Sequence, residues 1–295
     1  MAVTARTVGP DRSCEEAYAA CAEIAEGHYE NFSVASRLLP RGIRKYMYAI
    51  YAFCRHTDDL GDEASGDRIA LLEEWERELV QVYRGDPKHP IMIAIKDVVQ
   101  RFSICDEPFR KLIHANLLDQ GHVRFDTYRD LIRYCEHSAV PVGQMVLYLL
   151  GDRSPESRSL SAATCTALQL TNFWQDVARD FAMDRVYIPQ EDMVRFGVAE
   201  SDLASNSASP ALKSLLRFEV NRTLELFEKG APLVNRIDGR MRLYIALFSK
   251  SGLRVLKAIQ ACDYDVLSKR PTVTTIGKLW LAISTAARLA VLKRA

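Results

Sequence analysis

The sequence is poor in the signals that mark most other protein classes. No run approaches the roughly eighteen consecutive apolar residues that would read as a membrane-spanning helix. The nearest stretch, residues 279–292, is broken by Arg288 and flanked by Lys278, Lys293 and Arg294. It reads either as an amphipathic helix packed on the core or as one lying at a membrane surface, which leaves peripheral membrane contact open. Excess charge is missing too: 39 Lys and Arg stand against 38 Asp and Glu. Nucleic acid is therefore not expected as a partner. The seven cysteines, at 14, 21, 54, 105, 135, 165 and 262, contain no C-x-x-C pair of a zinc or redox site. With no secretory leader either, they read as reduced, buried small residues of a cytoplasmic protein. Strand signals are nearly absent.

What the chain has is helical signal from end to end. Ser13-Cys14-Glu15-Glu16 is a capping box opening a helix towards Glu30. Pro40 precedes a long apolar-periodic run, and residues 67–83 are amphipathic, stopping at Gly85-Asp86-Pro87. Shorter helices are expected over 90–102 and 108–118, and a long apolar one over 127–150, interrupted at Pro141. Ser154-Pro155 opens another, and more follow over 210–228, 238–268 and from Thr272 onward. Apolar residues make up 48% of the 295, ample for a sizeable core. The expectation is a single all-α domain over 1–295 whose motif helices enclose a central cavity. Residues 1–12 read as frayed and 200–210, rich in Ser, Ala and Asn, as a mobile surface loop.

Two aspartate pairs dominate the chemistry. Asp58 and Asp62 stand in Arg55-His56-Thr57-Asp58-Asp59-Leu60-Gly61-Asp62-Glu63; Asp176 and Asp180 stand in Asn172-Phe173-Trp174-Gln175-Asp176-Val177-Ala178-Arg179-Asp180. The i, i+4 spacing stacks two carboxylates on one helix face, where they repel by a few tenths of a kcal/mol. One such pair is unremarkable on a solvated surface. The second is surrounded by Leu168, Leu170, Phe173, Trp174 and Val177, and a helix apolar all round is buried. Buried carboxylates must be paired or bind metal. Mg2+ suits them, since it takes one or two carboxylates and completes its octahedron with water and phosphate oxygens. Asn172 and Gln169, four and seven residues before Asp176, share its face. Arg55 lies three before Asp58. Arg185 reads equally as a cation for a diphosphate or as an ordinary ion pair with Asp184 or Asp180.

Taken in order, these pieces resemble the squalene/phytoene synthase family of head-to-head prenyl synthases. The matching segments are His28-Tyr29-Glu30-Asn31-Phe32, Ala49-Ile50-Tyr51-Ala52-Phe53-Cys54-Arg55, the first aspartate pair, residues 134–143, residues 168–180, Arg185-Val186-Tyr187 and residues 264–271. The resemblance implies an isoprenoid-synthase helical fold, with Asp58, Asp62, Asp176 and Asp180 holding Mg2+ on a prenyl diphosphate. It also implies that Arg55 binds diphosphate and that Asn172 and Gln169 line the polar end. Tyr134, Tyr187 and Tyr264 would stand near the reacting carbons, Asp119 would border the cavity, and His28 and Phe32 would contribute from the first helix.

Within the family, Glu30-Asn31, Pro141 and Phe173-Trp174-Gln175 look most like the bacterial hopanoid-pathway branch, hydroxysqualene synthase. That resemblance implies presqualene diphosphate as substrate, water rather than hydride as quencher, and no NADPH. Inside a helix Pro141 would free the His137 carbonyl and kink the chain. The same fold could instead condense two farnesyl diphosphates to presqualene diphosphate or squalene. A helical assembly factor without chemistry is the remaining alternative, and four intact aspartates speak against it. Oligomeric state is not legible.

Overall fold

The computed structural model describes residues 12–27 and 39–272, and every described element is helical. The order is α1 (Arg12–Gly27), α2 (Arg41–Asp62), α3 (Arg68–Arg84), α4 (Pro90–Phe102), α5 (Glu107–Leu118), α6 (Tyr128–Ser138), α7 (Val140–Leu149), α8 (Pro155–Gln175), α9 (Val177–Ala182), α10 (Gln190–Phe196), α11 (Pro210–Gly230), α12 (Leu233–Arg236) and α13 (Gly239–Ala261). The described residues contain one isolated β-bridge, Val123 to Arg185. No described helix is long and apolar enough to cross a membrane. His28, Glu30, Asn31, Phe32 and the expected C-terminal helix lie outside the described residues.

Start signals act where the sequence places them. Ser154 Oγ accepts from Ser157 N at 3.2 Å and Ser209 Oγ from Leu212 N at 3.2 Å. Each caps a helix whose first turn holds a proline, where a missing N–H costs nothing. Thr127 and Asp130 form a reciprocal capping box at α6.

Two apolar clusters form around these helices. One gathers α1 to α5, with Phe53, Leu72, Trp75, Ile95 and Ile113 sealed inside, and backs the first aspartate pair. The other gathers α6, α8 and α11 around Leu131, Leu170, Trp174, Leu215 and Leu216, and backs the second. Arg185 Nη2 links the two sides by donating to Asp62 Oδ1 at 2.7 Å.

Four expectations need correction. The 127–150 segment breaks at Ala139 (φ −122°, ψ −45°), so Pro141 stands in the first turn of α7 rather than kinking a helix interior. Residues 200–210 are tied down: a 3-10 turn spans Glu200–Ala204, Leu203 and Ala208 are buried, and Ala208 N donates to Asp265 Oδ1 at 2.8 Å. The helix expected over 238–268 ends at Ala261, where Asp263 and Tyr264 adopt left-handed φ of 51° and 60°. Such conformations are uncommon for residues other than glycine and end a helix sharply. The fourth concerns α8, which stops at Gln175; Asp176 (φ −107°, ψ 15°) leaves the helix before α9 resumes.

Candidate active site

The first aspartate pair occupies the last turn of an unbroken α2. Asn116 Nδ2, on α5, donates to Asp58 Oδ1 at 3.2 Å, and Gln120 Nε2 donates to Gly61 O at 3.0 Å. Gly61 has no side chain because Asn116 Oδ1 would lie 2.4 Å from a Cβ there. Water reaches Asp58, yet packed protein surrounds the group and leaves its hydration incomplete. That burial, reinforced by Asp62 and Asp59 and opposed by the Asn116 hydrogen bond and Arg55, pushes its carboxyl up to about 7. Arg55 donates to Glu63 Oε1 at 2.7 Å and pairs with Asp59 one turn away, so its charge is committed locally in this state.

The second pair straddles the helix break. Asp180 N still donates to Asp176 O at 2.8 Å, which keeps the two side chains one turn apart. Arg270 reaches across ninety-four residues of sequence to chelate Asp176 through Nε and Nη2, and its Nη2 also donates to Gln175 Oε1 at 3.3 Å. Gln175 Nε2 in turn donates to Pro271 O. Asp180 is pushed up to about 7 by burial and Asp176, with Arg185 and Arg179 offsetting this in part.

Arg185 joins the two halves. Its Nη2 donates to Asp62 Oδ1 at 2.7 Å, neither to its neighbour Asp184 nor to Asp180, and its side chain is only 11% exposed. Burial opposes the guanidinium charge, but the bond to Asp62 and the fields of Tyr187 and Asp119 more than restore it. Asp119 caps the end of α5 and accepts from Tyr134 Oη at 2.6 Å; its other oxygen is buried without a hydrogen-bond partner. Burial lifts it to about 6 despite that bond and Arg185.

Against this acidic rim stands an aromatic wall. Phe173 and Tyr187 stack at 3.8 Å with planes 6° apart. Tyr134 lies 5.9 Å from Tyr187 and 6.2 Å from Phe173, with Phe125 5.3 Å from Tyr134. A narrow cleft opens beside them, lined by Phe173, Val177, Asp180, Arg185, Tyr187 and Leu203 among others. It has room for about one water, so a long hydrocarbon needs the wall to part.

The structure thus brings together Asp58, Asp62, Asp119, Tyr134, Asp176, Asp180, Arg185 and Tyr187. Asn172 lies exposed and Gln169 half-buried on the α8 face that runs into Asp176. Tyr264 is not brought to the wall: its ring lies under the Arg217 guanidinium at 5.4 Å, in the turn after α13. Sequence reasoning missed Asn116 and Arg270. Asn116 was findable, three residues before Asp119 on a helix; Arg270 was not, because nothing local links it to Asp176.

The donor set fits Mg2+. It is all carboxylate oxygen, and burial holds Asp58 and Asp180 up at about 7, which a bound cation would offset. Among the described residues no three acidic, His or Cys side chains converge on one point, so the pairs flank an opening rather than close a cage.

Comparison with known proteins agrees with this geometry. A squalene/phytoene synthase family model matches residues 25–276. The crystal structure of squalene synthase HpnC from Alicyclobacillus acidocaldarius superimposes with a TM-score of 0.82 at 38% identity, covering 86% of this chain and 97% of that one. A dehydrosqualene synthase solved with a ligand gives 0.88 at 28% identity, covering 95% and 99%. A 15-cis-phytoene synthase of Synechocystis is 32% identical over 287 residues, 92% of this chain and 84% of that protein. The chain belongs to the squalene/phytoene synthase family, prenyl diphosphate-using synthases that work by head-to-head prenyl transfer.

Proposed function

We propose that this protein ionises presqualene diphosphate and captures the rearranged cation with water, giving hydroxysqualene and diphosphate. Asp58, Asp62, Asp176 and Asp180 would hold Mg2+, which when bound supplies Lewis-acid neutralisation of the departing diphosphate. Arg185 adds fixed positive charge beside that leaving group, where a preorganised cation is worth most. The stacked Phe173 and Tyr187 faces, with Tyr134, stabilise the allylic or cyclopropylcarbinyl cation and exclude bulk water.

The observation that carries the choice of water lies at the α6–α7 break. Ser138 follows Tyr134 by one helical turn, on the same face, and its hydroxyl is buried without a hydrogen-bond partner. Pro141 has no N–H to offer the His137 carbonyl four residues earlier, so the usual helix bond to that carbonyl is missing at the same break. A single water needs two to four such partners. The likeness to squalene synthase HpnC favours a C30 product as well.

The test is incubation of purified protein with Mg2+ and presqualene diphosphate, without NADPH, in oxygen-labelled water. Complete consumption with release of a labelled C30 alcohol is the expected result. A product that requires NADPH removes the proposal. The likeness to phytoene synthases favours a second reading, condensation of two prenyl diphosphates. Farnesyl diphosphate consumed in preference to presqualene diphosphate would put that reading first.

A further inference from the structure

The loop that follows α5 and the loop that follows α9 carry Asp119 and Arg185, yet neither belongs to a helix that could fix it. They are joined by the single bridge between Val123 and Arg185, with Val186 N donating to Val123 O at 3.0 Å. The next residue along, Arg124, closes that joint. Its Nη1 donates to Val123 O at 2.9 Å and to Asp184 O at 2.7 Å. Its Nη2 donates to Asp184 Oδ1 at 2.9 Å and Glu200 Oε2 at 2.9 Å, and its Nε to Glu200 Oε1 at 2.7 Å. These five bonds use all five N–H donors of the guanidinium.

The joint also braces the turn that ends α9. Asp184, immediately before Arg185, has a left-handed φ of 58° and closes α9, its N donating to Phe181 O at 3.0 Å and Arg185 N to Asp180 O at 2.9 Å. Arg124 grips that residue by both its carbonyl and its carboxylate, and His122 Nδ1 meets the other carboxylate oxygen at 3.1 Å. Glu200, in the 3-10 turn, braces Arg124 from behind. The chain therefore leaves the clamp aimed so that Arg185 meets Asp62 at 2.7 Å.

We infer that Arg124 is a positioning residue for Arg185: a guanidinium clamp that ties the Asp184 turn to Val123 and Glu200 and so aims Arg185 at the diphosphate end of the site. Arg124 itself contacts none of the aspartate pairs. The inference rests on the reading that Arg185 faces the diphosphate. A lysine at 124 would keep the charge but could not span Val123, Asp184 and Glu200 in a planar fork.

The experiment compares wild type, Arg124→Gln, Arg124→Lys, Glu200→Gln, Arg185→Gln and the Arg124→Gln/Arg185→Gln double variant. Each is measured for KM and kcat on the prenyl diphosphate it consumes, for melting temperature and for hydrogen exchange at the Val186 amide. Arg124→Gln should raise KM and lower kcat/KM by about tenfold or more, the scale of a misplaced binding group. Arg124→Lys should fail to rescue it, and exchange at Val186 should speed up in both. The double variant should be no worse than Arg185→Gln alone, since the two act through one contact. Glu200→Gln, which keeps the fold's backbone contacts, should show a smaller effect of the same kind even if Arg124→Gln folds poorly. Full rescue by lysine, or losses that multiply in the double variant, would overturn the clamp while leaving the site reading intact. Wild-type kinetics in Arg185→Gln would instead overturn the placement of Arg185 on the diphosphate, and the inference with it.

Discussion

Behind each aspartate pair lies a buried tryptophan hydrogen-bonded to a threonine, and the two arrangements are mirror assignments of the same parts. At the first pair the threonine is on the motif helix: Trp75 Nε1 of α3 donates to Thr57 Oγ1 at 2.9 Å, and Thr57 donates on to Phe53 O at 2.8 Å. At the second the tryptophan is on the motif helix: Trp174 Nε1 donates to Thr223 Oγ1 of α11 at 2.8 Å, and Thr223 donates to Glu219 O at 2.8 Å. What surrounds them differs. Trp75 is packed among rings, Phe53, His56 and His89. Beyond Thr223 lies an ion cluster in which Arg222 serves Glu219 and Asp192 while covering Tyr128 at 3.5 Å. The backbones differ as well, since α2 runs unbroken through Asp62 whereas α8 breaks at Asp176. A continuous helix holds the backbone of the first pair, whose side chains also meet Asn116 and Arg185; the second pair straddles a break, and Asp176 there depends on Arg270. Remote substitutions should therefore reach the second pair more readily.

The largest effect expected is at the carboxylates themselves. Asp58→Asn and Asp176→Asn should each lower turnover by about two orders of magnitude or more with helical circular dichroism unchanged. The comparison sharpens with Arg270→Gln, which leaves Asp176 in place but removes its clamp. A loss of about tenfold is expected there. Wild-type turnover in Arg270→Gln would mean the broken helix positions Asp176 unaided.

Next is the aromatic wall, which belongs to the second half. Tyr187→Ala removes the ring that stacks on Phe173 and should cost about tenfold or more in turnover, whereas Tyr187→Phe keeps the face and should be tolerated. Equal damage from both would make the phenol oxygen the working group. At Tyr264, which lies under Arg217, neither change should alter turnover comparably.

Most of the helical fold was legible because its signals are local. Ser154-Pro155, Ser209-Pro210 and the Thr127 box act within one turn of themselves, and the apolar period of α2 carries Asp58 to its end. The family resemblance put Asp119, Tyr134 and Tyr187 beside the cavity, and the fold brings these three close together. What was not legible depends on backbone that leaves the helix. The break at Ala139, the turn through Asp263 and Tyr264, and the exit at Asp176 have no glycine to announce them. Arg185 illustrates the consequence: its sequence neighbours offered Asp184 and Asp180, and the fold gave it Asp62 instead.

Removing either threonine hydroxyl tests the mirror directly. Thr57→Val and Thr223→Val each leave a tryptophan N–H buried without a partner, at a cost of about 1–3 kcal/mol in unfolding free energy. Similar stability losses should come with different kinetics. Thr57→Val should keep turnover within about twofold, since a continuous helix still carries Asp58. Thr223→Val should lower it further, since Trp174 lies two residues from the break at Asp176. Equal turnover in the two variants would remove the distinction between helix-held and tie-held carboxylates.

The smallest effect, on stability alone, concerns the ion cluster behind the second pair. Glu219 is fully buried, and its carboxyl is pushed up to about 8 by that burial and by Asp192, with Arg222 opposing. An unfolded chain releases the same proton in the ordinary glutamate range, about 4.3. Between those values the folded state binds more protons than the unfolded one, so this group's contribution to stability falls as pH rises and levels off above about 8. Melting temperatures at pH 5, 6, 7 and 8 should therefore decline less steeply in Glu219→Gln, which stays neutral throughout, than in wild type. Thr57→Val, behind the first pair and remote from this cluster, should shift the whole curve down without flattening it. Parallel curves for wild type and Glu219→Gln would show that Arg222 keeps Glu219 ionised across this range, and the second pair would then be tied down by a fixed ion pair rather than by a proton-sensitive one.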